Sequence, residues 1–556
     1  MDAPTGTPAW RIVLTVVIAL ILGGGVYYAS RNREPEMPSI PYFKIDMGAV
    51  RAPLPYRIVS FHRGRADKNL IKLAAQLGFN GVQFQIEGSN EKGIADFAER
   101  DAREHLIDYC HSLGMQVTLW VHKLSDLPGW WEENYLGPVS VDNERLWNHL
   151  DERYKWILEE MVPKADGLVL TVVETQQNAT QTPVMLKLVG LIDKQCRTHN
   201  KSLIVRTFVW HPDELEGVMG AIAQIPQDIV VMSKIVPQDW QMRGPYAAEL
   251  GAVGGRPQIV EWDVEGEYFL HNSAANCMVD LLQKQYDYAI EKGAQGICVR
   301  VDRFDENVLF EPQEVNLWAL GLLASGATKN AEDAWDRWAT YRYGEKAAPA
   351  IIKTLRPTGS VVSELLSVGP FTFGDTRYKP AAPWEPIFSQ NWQPWRWDPA
   401  YRDDYVLGET GDEGFIARVK QQKLDAIKVA DQCLADLDAA KPDLSEQDYK
   451  VLRSKLLTNR MQLELRMHMI MAALHYRQLE QHEKSSERDA VIARVGQDID
   501  EVEKVGKKMA TLWPPDRPEI IKYLGKTYTV NRPQWMSFDD INDWIFAARR
   551  GMAVTW

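Results

Sequence analysis

The chain has 556 residues, which at roughly 100–200 residues per domain suggests two to four domains. Acidic residues outnumber basic ones 76 to 63 and the pI is about 5.5, which excludes a nucleic-acid backbone binder, because neutralising phosphates needs clustered Lys and Arg. A hydrophobic share of 45% with 25% charged residues excludes a mainly disordered chain. The 20 tryptophans are a surplus of flat apolar faces, suited to a large core or to a ligand-stacking surface. The five cysteines, Cys110, Cys196, Cys277, Cys298 and Cys433, are widely spaced. That spacing fits single buried thiols and supports neither a disulfide scaffold nor a zinc site.

In chain order, residues 1–34 read as an N-terminal signal anchor. Ile12 to Ser30 contains no charged residue, a length sufficient to cross a bilayer as a helix. Arg11 flanks it on one side and Arg31 and Arg33 on the other. A transmembrane helix is favoured over a cleaved signal peptide, because Tyr27-Tyr28-Ala29 is a poor small-x-small cleavage site. A single-pass membrane protein is the resulting expectation; the flanking arginines leave its orientation open, and the body is expected to be periplasmic or extracellular. Residues 35–55, stiffened by Pro35, Pro38, Pro41, Pro53 and Pro55, form a linker.

From residue 56 to 326, β-rich runs alternate with amphipathic helices, the pattern of βα units around a parallel sheet. The strands are expected at Tyr56–His62, Gly81–Ile86, Gln116–His122, Gly167–Glu174, Ser202–Trp210, Asp228–Lys234, Gln258–Val264 and Gly296–Arg303. Helices are expected near Asn69–Leu77, Ala102–Leu113, Glu144–Met161, Met185–His199, Glu214–Ile225, Pro245–Val253, Ala275–Lys292 and Glu314–Ala324. Gly78 and Gly114 sit where helix C-caps need glycine. Eight units of this kind match the α/β class and a (β/α)8 TIM barrel of roughly 250 residues. A doubly wound sheet fits less well, since no Gly-rich phosphate loop follows a strand. Residues 327–556 lack a strand pattern and predict an all-helical C-terminal domain, with long helices at Phe415–Ala439, Glu446–His482 and Arg488–Leu512. Between barrel and long helices lies a Trp-rich stretch with Trp392, Trp395 and Trp397, readable either as a packing cluster or as a wall for sugar rings. Met467, Met469, Met471 and Leu474 read as core, with a homodimer face as the alternative.

In such a barrel the chemistry lies at the C-terminal strand ends. Those positions gather His62 and Arg63, Glu87, His122, Glu174, Trp210 and His211, Lys234 with Asp239, the run Glu261 to Glu267, and Arg300 with Asp302 and Arg303. Glu174, Asp239 and Glu267, from three separate strand ends, suit glycoside hydrolysis. One carboxylic acid protonates the leaving oxygen while the others activate water on the opposite face. Crowding carboxylates into one mouth raises the proton affinity of some, which permits that division of labour.

Here the chain resembles the α-glucuronidases of glycoside hydrolase family 67. Lys234-Ile235-Val236-Pro237-Gln238-Asp239-Trp240-Gln241 is similar to that family's strand-six signature, Gly266-Glu267-Tyr268 to its strand-seven Gln-Glu-Tyr, and Arg206-Thr207-Phe208-Val209 to its strand-five motif. Asn316 to Gly321 and Trp397-Asp398-Pro399 resemble segments where the family passes into its helical domain. The resemblance implies Glu174 as general acid, and Asp239 and Glu267 sharing the general-base role in an inverting, exo-acting reaction. It also implies a cationic pocket of Arg206 and Lys234 for a glucuronate carboxylate, a pairing that charge-assisted hydrogen bonds favour. Trp210, Tyr268, Arg300 and Trp397 complete the expected substrate-binding set, with no cofactor and no metal. Leu170 stands where the family has a lysine, and Ile235-Val236 replaces Asn-Gly, changes that touch sugar specificity more than the acid and bases.

The alternative reading of Arg206 and Lys234 is that they neutralise the mouth's own carboxylates. For the whole protein, the alternatives are a membrane-tethered carbohydrate-binding or scaffolding protein on an inactive barrel, and a lyase or metal-dependent enzyme using His62, Glu87 and His122. The partners expected are an oligosaccharide substrate and the membrane, with no nucleic acid.

Overall fold

The computed structural model describes residues 51–555 except 62–65, 87–99, 123–135, 174–178, 238–240, 265–273, 304–305, 373–396, 398, 404–410, 482–486, 514–519, 525 and 530–537. Eight parallel strands close in sequence order into a barrel. They are β1 (Tyr56–Phe61), β2 (Gly81–Ile86), β3 (Gln116–His122), β4 (Gly167–Thr171), β5 (Ser202–Arg206), β6 (Val230–Lys234), β7 (Gln258–Asp263) and β8 (Gly296–Arg300). The register pairs Ile58 with Gly81 on one flank and with Cys298 on the other. Side chains alternate between faces along a strand. Ile58, Trp120, Val169, Ile204, Val230, Met232, Ile259 and Cys298 therefore meet inside the barrel as a small cluster of their own. The opposite parity, including Val59, Phe61, Val82, Phe84, Leu119 and Leu168, joins the large core between strands and outer helices.

The outer helices are α1 (Lys68–Gln76), α2 (Arg100–Ser112), α3 (Glu144–Trp156), α4 (Thr182–Thr198), α5 (Pro212–Ile222), α6 (Val279–Glu291) and α7 (Glu314–Ala324). Their starts follow from local chemistry. Asp67 accepts from the amides of Asn69 and Leu70 at the head of α1, and Asn143 accepts from Leu146 N at α3. Gly78 and Gly114 have φ of 87° and 74°, the left-handed conformation expected after α1 and α2.

Four sequence expectations need correction. No helix forms at Pro245–Val253; residues 241–257 are turns among the described residues. Gly244, Gly251, Gly254 and Gly255 all take positive φ there, which a continuing helix does not allow. The helix expected from Ala275 starts at Val279, since side chains from distant elements hold the backbone of 274–278. Strands four and five end at Thr171 and Arg206, short of Glu174 and Trp210. After Arg206 the amides of Trp210 and His211 are taken by the Glu214 carboxylate, which heads α5.

The fourth correction concerns the C-terminal region, which is helical but not wholly so. It contains α8 (Glu332–Leu355), α9 (Thr358–Leu365), α10 (Glu413–Ala440), α11 (Glu446–Gln481), α12 (Arg488–Leu512) and α13 (Phe538–Thr555). A hairpin of β9 (Ile520–Tyr523) and β10 (Lys526–Thr529) interrupts it, where Ile520, Ile521, Tyr523, Thr527, Tyr528 and Thr529 supply β-branched and aromatic residues. Met467, Met469, Met471 and Leu474 are buried within it. The five cysteines are free and buried. Among the described residues no helix is long and apolar enough to cross a membrane, and the expected anchor lies outside those residues.

Candidate active site

At the C-terminal end of the barrel the inward positions change from apolar to charged. Arg206, Lys234, Asp263 and Arg300 are the last residues of β5 to β8. The register sets Lys234 beside Glu261, and Asp263 beside Arg300. These side chains form a ladder. Arg206 grips Glu261 with two prongs, Nε to Oε2 at 2.6 Å and Nη2 to Oε1 at 2.8 Å. Lys234 Nζ lies 3.9 Å from Glu261 Oε1 and 3.5 Å from Asp263 Oδ2. Arg300 Nη2 donates to the same Asp263 oxygen at 2.8 Å. Every member is at most 4% exposed. The other oxygen, Asp263 Oδ1, is buried with no hydrogen-bond partner among the described residues.

Aromatic rings support the ladder. The Arg206 guanidinium lies 4.5 Å from the Trp120 ring centroid and 4.9 Å from that of Phe208, and Lys234 Nζ lies 5.1 Å from Phe208. Such cation–π contacts gain strength when water is excluded. Trp120 Nε1 donates to Thr171 Oγ1 at 2.7 Å, and Arg206 Nη1 reaches the same hydroxyl at 3.3 Å. Beside them the Gln83 amide donates to Ser60 Oγ at 2.9 Å.

Protonation follows from this packing. Burial alone would raise the Glu261 carboxyl, but Arg206 first, then Lys234 and Arg300, outweigh it and hold the group below the usual carboxylate range. Burial, with the negative charges of Glu261 and Asp263 nearby, pushes the Cys298 thiol far up, so it stays protonated. On the outer side of β5 and β6, Glu249 is different. Burial pushes its carboxyl up to about 7, against the Thr207 hydroxyl 3.2 Å away.

The structure thus brings together Arg206, Lys234 and Arg300 from the expected binding set. Trp210 stands next to them, edge-on to Phe208 at 5.1 Å between centroids. Trp397 is half-buried and packs against the main core. Glu174, Asp239, Glu267 and Tyr268 lie outside the described residues, as do His62, Arg63, Glu87 and most of the Trp-rich stretch. Among the described residues no cluster of His, Cys, Asp and Glu has the arrangement of a metal site.

Sequence reasoning placed Glu261 and Asp263 in a strand-end run and Phe208 in a motif without giving them a role, and it did not single out Trp120 or Thr171. The signal was the period of two: Glu261 and Asp263 alternate with Val260, Trp262 and Val264, so both acids must face one way. A cavity of about 770 Å³ opens at the opposite, N-terminal end of the strands, lined by Tyr56, Gln116, Asp166 and Arg197 among others. It lies away from the strand ends and takes no part in the ladder.

Fold and site together define a (β/α)8-barrel protein with a charged mouth and a largely helical C-terminal region. Among solved structures the chain is similar to a GH138 enzyme targeting pectin rhamnogalacturonan II, with a TM-score of 0.58 and 12% identity. That match covers 83% of this chain and 62% of the other, so the chain spans under two thirds of that enzyme's length. Matches to a GH20 β-N-acetylhexosaminidase from Streptomyces coelicolor (TM-score 0.32, 12% identity, 53% of this chain and 68% of that one) and a GH5 enzyme from Prevotella bryantii (0.33, 15%, 48% and 88%) are looser. No protein-family model matches the chain, and no curated protein matches it in sequence. The resemblance to family 67 therefore rests on the short motifs alone.

Proposed function

We propose that the protein is a glycoside hydrolase that releases a uronic-acid-type sugar from the end of an oligosaccharide. The observation that carries this reading is the ladder at the barrel mouth. Among the described residues, three cations (Arg206, Lys234, Arg300) face two carboxylates (Glu261, Asp263), in the part of the fold where barrel enzymes bind substrate. Cations held at that mouth suit the carboxylate of an anionic sugar. The barrel fold shared with the GH138 enzyme is consistent with the reading, and a pectic glycan is a substrate class to screen first.

In this reading Glu174 protonates the leaving oxygen and Asp239 and Glu267 hold the attacking water, giving inversion. Lys234 and Arg300 attract the uronate carboxylate, while Arg206, anchored by Glu261, fixes the field around them. Trp210, Tyr268 and Trp397 offer faces to the sugar rings. A tether through residues 12–30 would hold the body at a membrane, and a polysaccharide-derived substrate favours its outer side.

The test is a screen of 4-nitrophenyl uronides, matched neutral glycosides and pectic oligosaccharides. Hydrolysis of uronides, lost in Glu174→Gln and reduced in Asp239→Asn and Glu267→Gln, is the expected result. Full turnover by all three variants would refute the assignment. Binding without turnover, unchanged by Glu174→Gln, would instead identify a glycan-binding barrel.

A further inference from the structure

The interior of a (β/α)8 barrel is ordinarily filled by layers of bulky side chains. Here the layer at the N-terminal end of the strands is thinned. The register places Tyr56 beside Gly296, and Gly167 between Thr118 and Ser202. On the other flank of β1, Ile58 pairs with Gly81. These positions share the parity of the inner cluster that holds Ile58, Val169 and Ile204. Three glycines and a serine thus occupy sites where a barrel usually carries branched residues. Tyr56 takes the room beside Gly296, where an added Cβ would sit 2.4 Å from Tyr56 Cβ. Its side chain packs on the inner cluster and stays partly exposed.

The space left is the cavity of about 770 Å³, within the roughly 300–1,000 Å³ of small-molecule sites. Ile58, Ile204 and Val230 form an apolar floor, and Tyr56 is the one aromatic residue among the described lining. Charge at the rim is already matched. Arg197 donates to Asp193 at 2.7 Å and to Asp228 at 3.0 Å. The Lys201 ammonium donates to Pro163 O at 2.8 Å. Asp166 accepts from Val117 N at 2.7 Å and meets His111 at 2.9 Å. Three lining carboxylates against two cations do not draw in an anion. The polar lining side chains with no hydrogen-bond partner among the described residues are all neutral: Tyr56, Gln116 and Asn200. The two amides each donate and accept. Together with one flat ring and an apolar floor they match a neutral sugar ring, which offers a C–H face to the aromatic and hydroxyls to the amides.

We propose that the cavity at the N-terminal end of the barrel is a second carbohydrate site, which binds one neutral sugar ring. It lies at the opposite end of the strands from the charged ladder, so it is separate from the site at the mouth. The inference rests on the geometry of this cavity and stands whether or not the mouth is catalytic.

The test titrates the full-length protein with methyl α-D-galactopyranoside and methyl α-L-rhamnopyranoside, with sodium D-galacturonate as the charged control. Hydrogen exchange by mass spectrometry locates the binding, and saturation-transfer NMR gives the affinity. At least one neutral glycoside should slow exchange saturably in peptides covering 112–118 and 197–204, which galacturonate at equal concentration leaves unchanged. Gln116→Ala, at an exposed position, should weaken that binding about three- to tenfold through the lost hydrogen bond. Gln116→Trp, whose indole fills the space, should abolish it, with an unchanged Tm reporting an intact fold. If the indole disturbs the fold, Gln116→Ala decides. Absence of saturable protection by both neutral glycosides overturns the proposal. So does tighter binding of galacturonate, undiminished affinity in Gln116→Ala, or protection confined to peptides of the C-terminal strand ends, which would place the sugar at the mouth.

Discussion

Replacing Glu261 with Gln tests whether the mouth ladder is held by charge or merely by shape. The substitution keeps the volume but takes the negative charge from Arg206, whose two bonds to Glu261 are 2.6 and 2.8 Å long. Of the two ladder carboxylates, Asp263 would then be left to pair with Lys234 and Arg300. A unit charge pair about 4 Å apart is worth about 4 kcal/mol at the effective dielectric of about 20 that suits protein sites. Breaking one partner of a buried pair typically costs about 3–5 kcal/mol. For a barrel of about 270 residues, at about 2.1 cal/mol/K of unfolding entropy per residue, that corresponds to a Tm drop of roughly 5–9 °C, read by differential scanning calorimetry at pH 7. Removing both partners at once, in Arg206→Met with Glu261→Leu, should cost less than Glu261→Gln alone, because no charge is then stranded. The pH dependence has a definite sign. The Glu261 carboxyl is lower when folded, so its contribution is complete above the unfolded value near 4.3 and is lost as the pH falls through the folded one. The gap between parent and Glu261→Gln should therefore narrow in acid. A loss below about 1 kcal/mol, or a double variant at least as unstable as the single one, would refute the charge argument.

Glu249 should give the opposite slope. Its folded pKa of about 7 lies above the unfolded carboxylate value, so stability falls between about pH 4.5 and about pH 7, by roughly 3 kcal/mol. Chemical denaturation across that range should show the decline in the parent and its absence in Glu249→Gln. Lys234→Met should raise KM about tenfold or more for a uronide while leaving a neutral glycoside unaffected, since a charged hydrogen bond is worth about 1.5–3 kcal/mol; equal effects on both would exclude a carboxylate contact. Two glycines should respond in opposite directions. A Cβ on Gly217 would meet the Thr180 carbonyl oxygen at 2.2 Å, whereas one on Gly190 meets nothing within 4 Å. Gly217→Ala should cost about 1–3 kcal/mol, and Gly190→Ala, inside α4, should stabilise by about 0.5–1 kcal/mol, both read from thermal melts.

The barrel was legible because its strands combine apolar runs with glycine-marked helix ends, and both signals are local. Gln116–His122 and Gly81–Ile86 match the structure at both ends. The missing sixth helix was not legible in the same way. Pro245–Val253 has helix-compatible residues, and only the positive φ values around it show that the chain turns. The segment 274–278 misled for a different reason. Its small residues read as a helix start, while the side chains that bond its backbone instead lie up to 184 positions away. At the mouth, charge at strand ends was readable, but the choice of partners was not. Arg206 faces Glu261 rather than open solvent because the register sets β5, β6 and β7 side by side, information that no single strand contains.

The longest helix ties these regions together. α11 has 36 residues, about 54 Å, and is covered on more than one side. Leu463, Met467, Ile470 and Leu474 belong to the core that continues into the barrel. Met461, Leu465, Met469, Ala472 and Tyr476 belong to a second core with residues of α12 and α13. A helix shared between two cores acts as a beam: stripping away one side removes the support that keeps the other in register. The outer helices α12 and α13 are thus bracing rather than ornament: they bury the side of α11 that the main core leaves uncovered.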